Sequence, residues 1–401
     1  MTRYSPVFSS LAMAASLIAA PASAEGKTAW RLFVSDQADP VVRALDAKSG
    51  EILDTFKLKA PASLSRTDSG RSVFANERDA AQFSVISSGI SVDDHGDHGD
   101  LKVEKPALLD VKLKGAKPAH FVDRHGQLAL FFDGDGVVKI VKESDILSGK
   151  ATIREIKLAS PHHGVAVAYG DHVLVTEPHP ESPVDELPVG IRVAGADNAV
   201  AGSLHDCPDL HGEASSGTMV AMACKTGLLL VKAGGEGPEI QHIDYPKSLP
   251  EGKSTTLAGG KGLQYFLGNY GPQAVVLIDP ASEDAFRLIE LPARRVHFAV
   301  DSVRPRYAYV FTENGQLHQL NVVTGKIEKS LTLTEPYSMD GHWNLPRPRI
   351  AVAGDDIVVS DPSKSRLQIV DAARFEKTRD IPVEGRPYNV VAIGGSGEVH
   401  E

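Results

Sequence analysis

The sequence predicts an all-β chain folded as an eight-bladed β-propeller, with seven blades as the alternative count, and three observations carry that expectation. Residues 117–141, KPAHFVDRHGQLALFFDGDGVVKIV, read as three short strands joined by tight glycine turns, which is an antiparallel meander. Matched positions recur along the chain at 63, 120, 163, 205, 297 and 389, and the spacings of 43 and 42 between 120, 163 and 205 fit a four-stranded blade. Finally, the strand from Trp30 has no inner strand before it, while the inner strand at 388–393 has no blade after it. Pairing the two ends closes the ring and leaves no sheet edge open.

Each element follows in order. Residues 1–24 carry Arg3, an apolar run from Leu11 to Ala20 and the small residues Ala22-Ser23-Ala24, the pattern of a signal peptide cleaved before Glu25. Its apolar run is too short to span a bilayer, and no other stretch is long enough. The mature chain, 25–401, is therefore expected as one exported propeller domain without membrane insertion, a monomer in the periplasm. Loss of Arg3 takes the formal net charge from −10 to −11. An acidic chain without a basic cluster is a poor ligand for nucleic acid or anionic lipid.

Middle and outer strands of blades are expected at 30–34, 72–75, 128–132, 172–176, 218–223, 263–267, 307–311 and 357–360. Several are followed by a turn and a strand ending in Asp46, Asp279, Asn321 or Asp371. The gaps of 92 from 205 to 297 and from 297 to 389 each hold two blades, divided near Thr256 and at His342. Two cysteines, Cys207 and Cys224, are too few for a disulfide scaffold, and in an oxidising compartment they are expected to bond as neighbours across a hairpin, with thiolate metal ligands as the alternative.

The gap from 63 to 120 is 57, and the excess maps to 87–101, SSGISVDDHGDHGDL. That stretch lacks an apolar period and reads as a mobile surface loop. Within it His95, His98, Asp94 and Asp97 supply imidazole and carboxylate donors suited to Zn²⁺, whereas the terminal glutamate of a calcium loop is missing. Five further histidines, His120, His163, His205, His297 and His342, occupy blade entries, and inner strands converge on a central channel. His120, His163 and His205, on three successive blades, are the favoured zinc trio, with His297, His342, Asp206 or the loop supplying the fourth donor. The bland alternative is that each imidazole braces a loop between blades.

An exported propeller with a DHGDHGD segment and matched histidines resembles the AztD family of periplasmic zinc chaperones. The resemblance implies a protein that holds zinc and passes it to the zinc-binding solute receptor of a zinc ABC transporter. It implies that His95 and His98 act in the flexible segment and that His120, His163 and His205 contribute to the internal site. A metal-dependent hydrolase or lactonase is the enzymatic alternative, and needs an open metal position and a general base. The chain has no nucleophile elbow, phosphate loop or HExxH helix. A protein-interaction propeller with purely structural histidines is the third reading.

Overall fold

The computed structural model describes residues 27–94, 99–235, 237–342 and 344–397. The predicted signal peptide lies outside the described residues.

Eight antiparallel sheets follow one another around a ring. In blade three, the strands Pro118–Arg124, Gln127–Phe132, Val137–Lys142 and Arg154–Lys157 run from the axis outward in sequence order. Blades four to eight repeat this meander, with inner strands Ala166–Tyr169, Glu213–Ser216, Leu257–Ala258, Arg295–Val300 and Ile350–Ala353. Blade two begins with Ser63–Arg66 and blade one takes Pro387–Gly397 as its inner strand. There Val34 pairs with Val390 and Lys27 with Gly397, so the chain ends close the ring as the sequence predicts. All inner strands begin at one face, here the entry face, and end at the other, the exit face.

The recurring Asp and Asn residues are explained by their turns. Asp46 Oδ1 accepts from the amides of Lys48 and Ser49, Asn321 Oδ1 from Val323 and Thr324, and Asp371 Oδ1 from Ala373 and Arg374. A short carboxylate or amide that caps its own turn ends the third strand and starts the fourth.

Among the described residues the core is divided into eight apolar clusters, each spanning an interface between neighbouring blades. Phe131 and Val138 of blade three pack with Val173 and Val175 of blade four, and Leu32 and Leu45 of blade one pack with Ile369 of blade eight. A single four-stranded sheet has two apolar faces and cannot cover either, so burial is complete only when the ring closes.

Two expectations change. Cys207 and Cys224 are bonded, with Cα atoms 4.9 Å apart, but they do not face each other across one hairpin. Cys207 follows the outer strand of blade four, Val200–Asp206, and Cys224 follows the second strand of blade five, Met219–Ala223, so the bond crosses the interface between two blades. The 87–101 segment is not simply a surface loop. Ile90–Asp94 and Gly99–Val103 pair as a hairpin, and Ile90 and Leu101 are buried against blades one and two. The alternation of Ile90, Val92 and Leu101 with polar residues was the signal, hidden by the acidic tip between them.

Candidate metal centre

On the entry face, three imidazoles from consecutive blades meet. His120 lies in the inner strand of blade three, where a bulge between Pro118 and Phe121 breaks the register and re-aims the backbone. His163 precedes the inner strand of blade four, and His211 precedes that of blade five. His120 Nε2 stands 3.5 Å from His163 Nε2, which stands 3.4 Å from His211 Nε2. With Zn–N bonds of about 2.0–2.1 Å, two nitrogens of one tetrahedral shell stand about 3.3–3.4 Å apart. The third side of the triangle is wider: the ring centroids of His120 and His211 are 6.2 Å apart, against 5.1 and 5.3 Å for the other two pairs. Among the described residues no group of three or more His, Cys, Asp or Glu side chains forms a ready-made metal shell. The triad approaches one, and closing the side between His120 and His211 would complete it.

The outer nitrogens fix how the rings present themselves. His163 Nδ1 donates to Asp133 Oδ2 at 2.9 Å, His120 Nδ1 to Glu213 Oε1 at 3.2 Å, and His211 Nδ1 to the carbonyl of Thr255 at 2.7 Å. A carboxylate or carbonyl can only accept, so each Nδ1 carries the proton and each Nε2 turns a lone pair inward. Lone pairs facing one another repel until a cation enters. Asp133 also accepts from Arg78 at 3.3 Å, which holds the carboxylate in place.

Burial works against charge on His120, yet the Glu213 carboxylate and its hydrogen bond, with Asp133 beyond, lift the pKa above the ordinary imidazole value. His211 is lowered, first by burial and then by the two neighbouring rings.

Local chemistry explains why His163 and His211 are delivered here. Each is followed by glycine. A Cβ on Gly164 would collide with Thr176 Oγ1 and with His162, and Gly212, at φ +96°, lets the chain approach the Thr255 carbonyl that receives His211. His211 N–H bonds Ala223 O, beside Cys224, so the disulfide pins the connection that carries this ligand.

The five blade-entry histidines divide. The structure brings His120 and His163 together as expected, and His162 turns away into the core, bonding Ser160 O and Thr176 Oγ1. His205 is not with them. It sits on the outer strand of blade four, opposite Ile191, and its place is taken by His211, which lies outside the matched positions of the repeat. Blade four is longer than blade three, chiefly in the connection 178–189 between its second and third strands, and this shifted the count; the repeated His-Gly pair at 163–164 and 211–212 was the available signal. His297 accepts the Ile350 amide at Nδ1, 3.0 Å, and braces blade seven to blade eight. Burial, with Arg349 and Arg295 nearby, keeps it well below the ordinary pKa. His342 is exposed on the connection before blade eight, its Nδ1 2.6 Å from Asn344 Oδ1. Asp206 is exposed at the end of the same outer strand as His205.

His95, Asp97 and His98 lie outside the described residues, as does the side chain of Asp94. Their supporting hairpin is described, and its position matters. The third strand of blade two, Gln82–Ser87, ends opposite Ser72, at the exit face, and the hairpin continues from there. Arg31 anchors its base through the carbonyls of Ser88 and Glu104. The hairpin therefore springs from the face opposite the triad, an inner-strand length away, on the order of 15–20 Å.

No family model matches the sequence. The chain is 51% identical over 376 residues to the zinc chaperone AztD of Citrobacter koseri, covering 94% of this chain and 89% of that protein. The crystal structure of Citrobacter koseri AztD has a TM-score of 0.91 at 51% identity, covering 93% of this chain and 100% of that one. The structure of apo AztD from the same organism gives 0.88 at 48%, with the same coverage. Dihydro-heme d1 dehydrogenase NirN, at 12% identity and a TM-score of 0.58 over 90% of this chain and 74% of its own, shares the fold alone.

Proposed function

Because this chain belongs to the AztD family of zinc chaperones, we propose that it carries Zn²⁺ on His120, His163 and His211 and delivers it to the zinc-binding solute receptor of an ABC transporter in the periplasm. The observation that supports the reading most is the convergence of three Nε2 lone pairs, each set by an oxygen acceptor on the far side of its ring. Zinc is the cargo, and imidazole is a borderline donor matched to it. The fourth position of the tetrahedron is left for water, for a carboxylate or for a ligand of the receptor, and exchange through that position moves the ion without free release. A buried disulfide suits an oxidising compartment, which agrees with the signal-peptide pattern of residues 1–24.

The hydrolase reading is weaker. Glu213 and Asp133 are both engaged to imidazoles, so neither is a free base beside the metal position.

Competition titration against a chromophoric chelator tests the site. His211→Ala should lower zinc affinity by about 100-fold or more, as for the loss of one of few protein ligands, while His205→Ala should bind as the unaltered protein does. Equal losses in the two variants would remove His211 from the site.

A further inference from the structure

The lower half of the central channel holds a cavity of about 330 Å³, walled by the inner strands of blades one, two, six, seven and eight. Inner strands have no partner on the axis side, so their free edges keep this lumen polar and wet, while Phe298, Val303 and Val390 supply apolar surface. The cavity lies toward the exit face, at the opposite end of the inner strands from the three histidines, and shares none of their ligands.

Two charged side chains of blade two, Arg66 and Asp68, line it. Among the described residues neither the Arg66 guanidinium nor the Asp68 carboxylate has a hydrogen-bond or ion-pair partner. The Asp68 amide is engaged, donating to Asp123 Oδ2 at 2.7 Å, which fixes the backbone. Solvent reaches Arg66, yet burial still holds its pKa below the ordinary value, the condition of a group surrounded by protein in a lumen. Burial likewise raises Asp68, against the attraction of Arg66, His125 and Lys261. A cation and an anion two residues apart, open to one small cavity and bonded to no side chain, leave room for a molecule carrying both complementary charges.

We propose that this cavity binds a small α-amino acid as its zwitterion, with the carboxylate on Arg66, the ammonium on Asp68 and the side chain against Phe298 and Val303. The volume is at the low end of the range for ligand pockets, about 300–1,000 Å³, which suits a free metabolite rather than a peptide. Guanidinium is the preferred planar partner for a carboxylate. Trp30 also lines the cavity and reports occupancy by its fluorescence.

The test is calorimetry, with tryptophan fluorescence alongside, on the mature protein titrated with L-valine, isobutyrate and isobutylamine. The last two each keep one of the charges on the same carbon skeleton. L-Valine is expected to bind tighter than about 1 mM, and each single-charge probe about tenfold or more weaker, the order for one lost charge-assisted hydrogen bond. Arg66→Gln and Asp68→Asn should each weaken L-valine by a similar factor while circular dichroism and zinc affinity stay as they were. No L-valine binding, isobutyrate binding as tight as L-valine, or a folded Arg66→Gln protein with unchanged L-valine affinity would each overturn the assignment.

Discussion

At the scale of single residues, the proton on Nδ1 decides what the histidines can do. Glu213, Asp133 and the Thr255 carbonyl each take that proton, and so commit three Nε2 lone pairs to one point. Glu213→Gln removes the charge that favours protonated His120 and weakens the bond that orients its ring. Zinc affinity near neutral pH should fall by about tenfold or more, the usual cost of losing a carboxylate behind a ligating histidine. The same substitution should change the pH profile. A raised His120 pKa lets protons compete with zinc above the ordinary imidazole range, so loss of affinity on acidification should begin at lower pH in the variant. Chelator competition across pH checks both points, and an unchanged profile would remove Glu213 from the account.

Elements show how the residues are held there. The Cys207–Cys224 bond secures the short connection that carries His211, and both cysteines are fully buried between blades four and five. Replacing both by alanine should cost about 2–4 kcal/mol of stability, and should weaken zinc binding more than a comparable loss elsewhere, because His211 is no longer pinned. Thermal melts and zinc titration of the double variant separate the two effects. In blade seven, His318 lies buried in the third strand between Thr312 Oγ1, 2.9 Å, and Ser330 Oγ, 2.8 Å, and burial lowers its pKa to about 4. Above about pH 6.5 the ring is neutral in both folded and unfolded chains and has no effect. As pH falls, the unfolded chain takes up the proton first, and the fold loses up to about 3 kcal/mol by pH 4. Denaturant unfolding at pH 7 and pH 4.5 should show that His318→Gln loses less stability on acidification than the natural protein.

For the molecule as a whole, ring closure is the decisive event. Eight interblade cores exist only when the strand Pro387–Gly397 joins the strand Lys27–Asp36, and the two mouths of the channel then acquire different chemistry. The histidines and their acidic partners occupy the entry face, and the hairpin that carries His95 and His98 leaves the exit face. Deleting residues 93–100 should therefore leave zinc affinity at the triad unchanged while slowing the proposed delivery to a solute receptor. Titration and stopped-flow transfer measure the two separately, and a deletion that strips zinc from the triad would contradict the separation of the faces.

The strand period, the turn residues and the orphan strands at both ends were all legible in the chain, because each reflects local backbone chemistry: glycine at turns, Asp or Asn capping them, apolar alternation in strands. Those local rules determined the propeller and the number of its blades. They also placed His120 and His163 at neighbouring entries. The third imidazole was a different matter. His205 and His211 are six residues apart, and only the added length inside blade four, chiefly the connection 178–189, decides which one reaches the channel. The face from which the acidic hairpin leaves was likewise settled by tertiary structure, since it depends on which end of a strand meets which mouth of the ring. Sequence period counts residues along one chain, whereas a metal site is made of distances between chains of residues that meet only after closure.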